Sequence, residues 1–390
     1  MTRRWQTKLI HPEVSVPDGY ESLATPVYRG STTIFPNAAA ANDTWRQQDV
    51  GYTYGLYGTP TTLELAARIA ELEGGTRSFI VPGGQSALAV INLAFTRAGD
   101  HVLIPDNVYS PHRLLARTLM RRFGVTSDFY DPGIGAGIAS MIRDETRLIW
   151  CESPGSITME VQDVPAIAAA AHERGVKVAA DNTYASGVYF DAFAHGVDVS
   201  MQAITKYIGG HSDVLLGSVT VRDEKDYERI GATMQVLGMS VSPDECSLAL
   251  RGMQTLAVRL KALEHTTLEV ARWMADRPEV ARVLHPALAS CPGHELWTRD
   301  FTGSTSVFSI ELAPEYSRAK ANALVDALEL FPVGWSWGGV TSLAVVVNPV
   351  RSTAPKRAGT LVRFNIGLED PGDLIADLER GFSVLGSAAL

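Results

Sequence analysis

Apolar residues from about residue 60 onwards follow two alternating spacings, one helical and one typical of short strands. Segment 61–75 (TTLELAARIAELEGG) carries apolar residues three and four positions apart and ends at a glycine pair, which predicts a helix with a glycine C-cap. Helical spacing returns in segments 86–99 and 163–175. Between these helices lie β-prone runs that end in Pro, Gly, Asp or Asn, namely 77–84, 101–106, 147–154 and 177–183, with a further run at 215–221.

Strands that alternate with helices in this way are typical of βαβ units. We therefore predict an α/β fold with a mostly parallel sheet that helices cover on both faces. The pattern changes after about residue 225, where a long helix over 247–278 precedes a smaller α+β region. That region has predicted strands at 304–312, 342–349 and 360–367 and predicted helices near 316–330 and 371–384.

These changes divide the chain into three predicted parts. Residues 1–60 are rich in Gly, Pro, Thr and Tyr and are expected to form an irregular arm that packs on a neighbouring subunit. Residues 61–250 are expected to form the large α/β domain, and residues 251–390 the long connecting helix with the smaller α+β domain. A chain of 390 residues is long enough for two hydrophobic cores of this kind.

Composition narrows the class of protein further. The formal net charge of −9 argues against a general nucleic-acid-binding surface. Cys151, Cys246 and Cys291 lie far apart without paired spacing, which favours reduced thiols over a disulfide framework or a zinc site. The first residues, MTRRWQTKLIHPE, contain no apolar signal-peptide region, and no apolar run approaches the length of a membrane span. We expect a cytoplasmic protein that binds neither nucleic acid nor membrane.

Chemically reactive side chains lie at the ends of several predicted strands. Asp181 ends one strand, Lys206 ends the predicted strand VSMQAITK one strand–helix unit later, and Gly83 and Gly84 follow a third strand just before a helix. In open parallel sheets, ligand sites gather at the carboxyl ends of the strands. We therefore expect an acid, a lysine and a glycine-rich helix N-terminus to line one crevice.

These three parts together suit pyridoxal phosphate. A lysine in a partly dry pocket can form a Schiff base with the cofactor aldehyde. A carboxylate that faces the pyridine nitrogen keeps the nitrogen protonated, so that the ring withdraws electrons. Backbone N–H groups at a helix start can hold the phosphate, and Thr205, next to the lysine, offers a hydroxyl to the same group.

Each of these signals also has a simpler structural interpretation. A lysine at the position of Lys206 is more often a surface lysine, Asp181 is as consistent with a turn or a helix cap, and PGGQS alone could be any tight turn. His211 and Asp213 could suggest a metal pair, but two ligands do not make a site, and a hydrogen-bonded structural role is favoured. Tyr109 could be a core aromatic or a ring stacked on a cofactor.

Longer segments resemble a known family. The stretch SMQAITKYIGGHSD around Lys206 resembles the cofactor-lysine segment of the Cys/Met-metabolism (trans-sulfuration) family of pyridoxal-phosphate enzymes. The resemblance covers nearly the whole chain and implies an aspartate-aminotransferase-like fold, fold type I, with a mostly parallel seven-stranded sheet. Segments in the order of the family are 54–75, 181–192, 251–260 and 360–378, and those similar to its carbon–sulfur β-lyases are 152–167, 280–288, 293–304 and 335–343.

The resemblance implies a role in cofactor binding for several residues. Lys206 would form the Schiff base, Asp181 would pair with the pyridine nitrogen, and Tyr109 would stack over the ring and assist proton transfer. Tyr54 would reach the phosphate bound by a neighbouring subunit, as part of a homotetramer with sites between subunits. The phosphate itself would be held by Gly84, Gln85 and Thr205.

It also implies a substrate side of the site. Arg363 would bind the substrate α-carboxylate through a bidentate pair, a geometry that suits arginine. Ser336 and Trp337 would line the substrate side. Trp335 and Trp337 flank Ser336, and two bulky rings are expected to shorten and dry the pocket, although they could instead pack the small domain.

Two departures from the family pattern concern the phosphate. Many relatives have an arginine at the position of Leu56, and a charge-assisted hydrogen bond of that kind contributes roughly 1.5–3 kcal/mol. Relatives often have a serine at the position of Ala203. Tyr57 and Thr59 could compensate, so phosphate binding is the part of the site that the resemblance predicts least completely.

The expected reaction is elimination at Cβ of cystathionine or of a related cysteine S-conjugate, which yields a thiol, pyruvate and ammonia. Two related alternatives stay open: a γ-acting member of the same family, which must also remove a Cβ proton, and a non-catalytic protein that binds pyridoxal phosphate. A nucleotide-binding α/β module lacks support, because the chain has neither a G-x-G-x-x-G motif nor a Walker lysine.

Overall fold

The computed structural model describes residues 4–11, 22–353 and 358–386. Two sheets organise this part of the chain, one of seven strands and one of four. No helix within the described residues combines the length and the apolar character needed to cross a bilayer.

The larger sheet is mostly parallel, as the sequence predicts. Its strand order is β1-β7-β6-β5-β4-β2-β3, and every neighbouring pair from β6 to β3 is parallel, whereas β7 runs antiparallel to both β1 and β6. The parallel strands therefore bring their carboxyl ends to one edge. The strands are β1 (Arg77–Val81), β2 (His101–Pro105), β3 (Thr126–Tyr130), β4 (Thr146–Glu152), β5 (Lys177–Asp181), β6 (Val199–Gln202) and β7 (Gly217–Val221).

Helices cover both faces of this sheet. Alternate residues of each strand point to opposite faces, and apolar side chains on each face pack against helices. Val102 and Trp150 pack on one side with residues of α4 and α7, while Leu103 and Ile149 pack on the other with residues of α6. The helices up to this point are α1 (Trp5–Ile10), α2 (Gln47–Val50), α3 (Pro60–Glu73), α4 (Gly84–Phe95), α5 (Ser110–Leu115), α6 (Val164–His172) and α7 (Glu224–Leu237).

Local sequence signals explain where several helices begin and end. Helix α3 begins at Pro60, whose missing N–H would have no intrahelical partner in the first turn, and ends at Gly74 with φ +70°. The predicted glycine C-cap is therefore confirmed. The side chain of Asp163 accepts from the N–H of Ala166 and caps α6.

A long helix and a second sheet form the rest of the chain. Helix α8 (Pro243–Ala275) contacts α3, α11 and β8, so it links the two sheets. The smaller sheet is antiparallel, with the order β10-β11-β9-β8. Its elements are β8 (Val280–Leu284), α9 (His294–Asp300), β9 (Val307–Leu312), α10 (Arg318–Asp326), β10 (Leu343–Val347), β11 (Leu361–Asn365) and α11 (Pro371–Ser383).

The structure corrects three details of the sequence prediction. Strand β6 ends at Gln202, so Lys206 does not end a strand but lies in the turn that follows. Strands β3 and β8 were not predicted. Each has a partly exposed face that breaks the apolar run expected of a buried strand.

Candidate functional site

A cavity of about 630 Å³ lies at the carboxyl edge of the parallel strands and reaches the smaller sheet. Residues from both sheets and their connecting turns form its wall, from Gly84 at the start of α4 to Arg363 in β11. Nearly all of the residues expected at the site line it: Gly84, Gln85, Tyr109, Asp181, Thr205, Lys206, Ser336, Trp337 and Arg363.

The turn that carries Lys206 is fixed by backbone hydrogen bonds. The N–H of Gly210 donates to the carbonyl of Lys206 at 2.7 Å, and Gly210 has φ +72°, a conformation that glycine adopts without strain. Arg259 of α8 donates to the carbonyl of Tyr207 at 2.7 Å and to that of Gly252 at 2.8 Å. Lys206 is therefore held by the long helix beneath it rather than by the sheet ladder.

The segment 335–339 of the smaller domain packs directly against this turn. A Cβ atom on Gly338 would lie 3.0 Å from the backbone of both Lys206 and Tyr207, so only glycine allows this approach without displacement. Ser336 has φ +92°, which is strained for a residue other than glycine, and its hydroxyl accepts a hydrogen bond from Lys206 Nζ. The Lys206 ammonium also lies 5.2 Å from the centre of the Trp337 ring.

The environment of Lys206 shifts its ionisation towards the neutral amine. Burial lowers its pKa to about 8, and the positive charge of Arg363 acts in the same direction, while the negative charge of Asp181 opposes both. A lysine with this pKa is partly deprotonated near neutral pH and can act as a nucleophile or a base.

Asp181 ends β5 and faces the same cavity, with protein on its other sides. Burial raises its pKa, and hydrogen bonds from Thr183 and the charge of Lys206 act against that rise. The N–H of Thr183 donates to Asp181 Oδ1 at 3.0 Å, and the Thr183 hydroxyl accepts from the N–H of Ala203 at 2.9 Å. Thr183 thereby fixes the carboxylate relative to the turn of Lys206.

The glycine pair before α4 is shaped by close backbone contacts. A Cβ atom on Gly84 would lie 2.8 Å from Ala203 Cβ, and one on Gly217 would lie 2.5 Å from the Gly83 carbonyl oxygen. These contacts place the first turn of α4 at the cavity wall. Its N–H groups lack carbonyl partners within the helix, and the helix dipole is positive there, which suits an anion.

The hydroxyl of Thr205 is already engaged with the strand that follows. It donates to the carbonyl of Leu216 at 3.1 Å and accepts from the N–H of the same residue at 3.2 Å. A phosphate dianion only accepts hydrogen bonds, so Thr205 would have to release the Leu216 carbonyl in order to donate to it.

Arg363 of β11 is buried beside the cavity, and burial lowers its pKa to about 10. Among the described residues no carboxylate pairs with its guanidinium, although its Cζ lies 5.9 Å from the centre of the Trp335 ring. A buried guanidinium without a protein anion is suited to bind the carboxylate of a ligand.

Glu152 is a site residue that the sequence analysis did not identify. It ends β4, lies in register with Asp181 of β5, and is 4% exposed. Its carboxyl accepts from the N–H of Tyr109 at 2.7 Å and from the N–H of Ser156 at 2.9 Å. Burial, together with the negative charge of Asp181, raises the pKa of Glu152 to about 8. Its position near the carboxyl end of the predicted strand 147–154, the same criterion that identified Asp181, was the signal that could have revealed it.

Tyr54 and Leu56 lie outside this cavity. Tyr54 is 43% exposed and packs edge-on against Tyr57 at 6.2 Å between ring centres. The proposed contact between Tyr54 and a cofactor therefore does not occur within one chain. His211 Nδ1 donates to the carbonyl of Gly209 at 2.8 Å, and no residue cluster suited to a metal occurs in the described ranges.

The two tryptophans differ in their surroundings. Trp337 is 8% exposed and packs on Tyr207. Trp335 is 73% exposed in the single chain but lines the same cavity, so the effect of both rings on the dryness of the pocket stays a prediction. A turn with Ser336 at positive φ directs the two flanking rings to different environments.

The cavity fits pyridoxal phosphate in its charges and its shape. It offers a lysine with a depressed pKa for an aldehyde and a carboxylate for a ring nitrogen. The first turn of α4, closely packed on Ala203, offers N–H groups to a phosphate. A cation placed against Asp181 would lower the pKa of its carboxyl and keep it ionised.

Comparisons with known proteins agree with this assignment. The model of the Cys/Met metabolism PLP-dependent enzyme family matches residues 6–383. A Rhizobium johnstonii protein that is provisionally named a cystathionine β-lyase is 46% identical over 382 residues, which cover 97% of this chain and 95% of that protein. The cystathionine β-lyase MetC of Escherichia coli is 38% identical over 390 residues, which cover 98% of each chain.

A solved structure supports the same fold. The crystal structure of metB from Corynebacterium glutamicum superposes with a TM-score of 0.90 at 28% sequence identity, covering 98% of this chain and 99% of that one. The predicted fold type I architecture, with its mostly parallel sheet and smaller second domain, is thereby confirmed.

A first prediction concerns Glu152. Glu152→Gln replaces one acceptor oxygen by an NH₂ group and leaves a backbone N–H of Tyr109 or Ser156 without a partner. We expect the free energy of unfolding in urea to fall by about 1–3 kcal/mol. Glu145→Gln, which removes an exposed carboxylate before the same strand, should change it by less than about 0.5 kcal/mol. Equal stability of both variants would contradict the role given to Glu152.

A second prediction concerns the pKa of Lys206. Only the neutral amine attacks an aldehyde, so the rate at which the apoprotein combines with pyridoxal phosphate should rise with pH and level off above about 8. Arg363→Met removes a charge that lowers this pKa, and the midpoint should move to higher pH. Arg282→Met, a change at an exposed arginine of β8, should leave it in place. An unchanged pH midpoint in Arg363→Met would contradict the electrostatic effect of Arg363 on Lys206.

Proposed function

The chain belongs to the Cys/Met-metabolism family of pyridoxal-phosphate-dependent enzymes, and from this premise we propose that it is a carbon–sulfur β-lyase. The proposed substrate is cystathionine or a related cysteine S-conjugate, which is cleaved to a thiol, pyruvate and ammonia. The observation that carries this proposal is one cavity lined by Lys206, Asp181, the start of α4 and Arg363, which has no carboxylate partner among the described residues.

Four parts of the cavity would hold the cofactor. The Lys206 amine would bind its aldehyde carbon, Asp181 would face its pyridine nitrogen, and Tyr109 would stack on its ring. The N–H groups of Gly84 and Gln85, with Thr205, would bind its phosphate. When bound, pyridoxal phosphate supplies an electron-withdrawing ring that stabilises negative charge at the substrate Cα.

Arg363 would bind the α-carboxylate of the substrate. A bidentate pair fixes the direction of the carboxylate, and Ser336 and Trp337 would restrict the position of the rest of the amino acid. The burial of Arg363 strengthens this pair, because little water competes for the guanidinium. This orientation would bring the Cα–H bond within reach of the Lys206 amine.

Lys206 would move the protons of the reaction. As a neutral amine it can accept the proton from Cα, and as an ammonium it can return that proton to the departing sulfur. Loss of the Cα proton and of the thiolate leaves a double bond between Cα and Cβ. Hydrolysis of the resulting aminoacrylate consumes one water and gives pyruvate and ammonia. The hydroxyl of Ser336, which accepts from Lys206 Nζ, would orient the amine between these steps.

A γ-acting enzyme would need to remove a Cβ proton in addition. The names of the similar β-lyases favour elimination at Cβ. A non-catalytic protein that binds pyridoxal phosphate is disfavoured, because the cavity also provides Arg363, a buried guanidinium that cofactor binding does not require. Both the β-acting and the γ-acting alternative are enzymes that act on sulfur-containing amino acids.

The assembly belongs to the same proposal. We place the site between subunits of a homotetramer built from two active dimers, with the arm of residues 1–60 packing on the neighbouring chain. This arrangement is supported by Tyr54, which is 43% exposed and does not line the cavity of its own chain. Residues 61–250 would form the cofactor-binding domain and residues 251–390 the connecting helix and smaller domain. The proposed location is the cytoplasm.

A third prediction tests Lys206. Lys206→Ala removes both the amine that binds the aldehyde and the base. We expect loss of cofactor that borohydride can trap and a fall in kcat of about a thousandfold or more, because covalent and general-base contributions disappear together. Lys225→Ala, at an exposed lysine of α7, should keep both properties. Undiminished formation of pyruvate by Lys206→Ala would contradict the catalytic role assigned to Lys206.

A fourth prediction tests the contact between subunits. Tyr54→Phe should retain cofactor less tightly than wild type, whereas Tyr52→Phe, two residues away, should not. When Tyr54→Phe and Lys206→Ala chains are mixed and reassembled, hybrid dimers regain one intact site. Activity should then exceed the sum of the two parents and approach about a quarter of wild type. Strictly additive activities would argue against a shared site.

A further inference from the structure

The mouth of the cavity is lined by exposed apolar side chains. Trp335 is 73% exposed and Leu215 is 68% exposed, and Ile157 and Pro111 line the same cavity. Exposed apolar side chains that line a pocket mark a surface that binds something apolar. Trp335 also lies beside Arg363, at 5.9 Å from its Cζ, so this surface begins next to the proposed site of the α-carboxylate.

The charged groups of the cavity are already engaged. Among the described residues that line it, only Glu152, Asp181, Lys206 and Arg363 carry a formal charge. Under the proposed function, Lys206 and Asp181 bind the cofactor and Arg363 binds the α-carboxylate. Glu152 is held by two backbone N–H groups. No charged side chain of this wall is left for a second amino-acid head group.

The segment that would reach in from a neighbouring subunit is uncharged as well. Residues 50–63, VGYTYGLYGTPTTL, contain no acidic or basic side chain. Together with Tyr54, this segment would bring Leu56 and Tyr57 towards the site, an aliphatic and an aromatic side chain. The neighbouring chain therefore extends the apolar character of the mouth.

We infer that the preferred substrates are cysteine S-conjugates whose sulfur carries an uncharged apolar group, and that Trp335 contacts that group. This inference rests on the proposed β-lyase function and narrows its substrate class. The leaving group of cystathionine carries an ammonium and a carboxylate, and placing both against apolar side chains removes water from them without providing partners. An alkyl group of the same length gains from the contact instead.

Two substrates that share a carbon skeleton test the inference on the holoenzyme. S-butyl-L-cysteine and L,L-cystathionine both carry four carbons on sulfur and both release pyruvate, and they differ in the charged groups at the far end. Butanethiolate is the more basic leaving group, so a preference for S-butylcysteine cannot come from the chemistry of the leaving thiolate. We expect kcat/KM for pyruvate formation to be at least about tenfold higher for S-butylcysteine.

The outcomes separate this inference from the proposed function. Pyruvate from both substrates, with cystathionine equal or better, overturns the inference and leaves the β-lyase function intact. Pyruvate from neither substrate overturns the β-lyase function and the inference with it.

Variants at the rim test Trp335 itself. Trp335→Ala should lower the ratio of kcat/KM for S-butylcysteine over cystathionine by about fivefold or more, and Trp335→Phe should largely restore it. Val333→Ala is the matched control, because Val333 is 64% exposed in the same segment but does not line the cavity. Its ratio should stay within about twofold of wild type. An unchanged ratio in Trp335→Ala overturns the contact with Trp335.

Discussion

The site depends on the close contact between the Lys206 turn and segment 335–339 of the smaller domain. Gly338 lies so near the backbone of Lys206 that a Cβ atom there would be only 3.0 Å away. The contact holds Ser336 in a strained conformation with its hydroxyl at the lysine, and it buries Trp337 beside the same amine. Since Arg259 of α8 fixes the other side of the turn, the connecting helix and the smaller domain together determine where the lysine lies.

Charge balance in a partly dry cavity then determines what these residues can do. Burial and the positive charge of Arg363 lower the pKa of Lys206, while burial and the negative charge of Asp181 raise the pKa of Glu152. A cationic pyridine nitrogen beside Asp181 and an anionic carboxylate beside Arg363 would each oppose one of these shifts. The cavity is therefore arranged for a ligand that carries both charges.

Much of this arrangement follows from sequence patterns, and the remainder depends on contacts between distant segments. Apolar runs predict the parallel strands, and the glycine after α3 predicts its end. The pattern misplaces Lys206, because the apolar residues Ala203 and Ile204 continue the run beyond the last strand hydrogen bond at Gln202. It misses Glu152, which becomes a neighbour of Asp181 only through the register of β4 with β5.

The keto acid released from cystathionine tests the central claim most directly, with cysteine and methionine offered in parallel. Elimination at Cβ gives pyruvate, while elimination at Cγ gives 2-oxobutyrate. For a site in which Lys206 serves Cα and the departing sulfur, we expect pyruvate from cystathionine and no 2-oxobutyrate from methionine. Release of 2-oxobutyrate as the main product would contradict the assignment as a β-lyase.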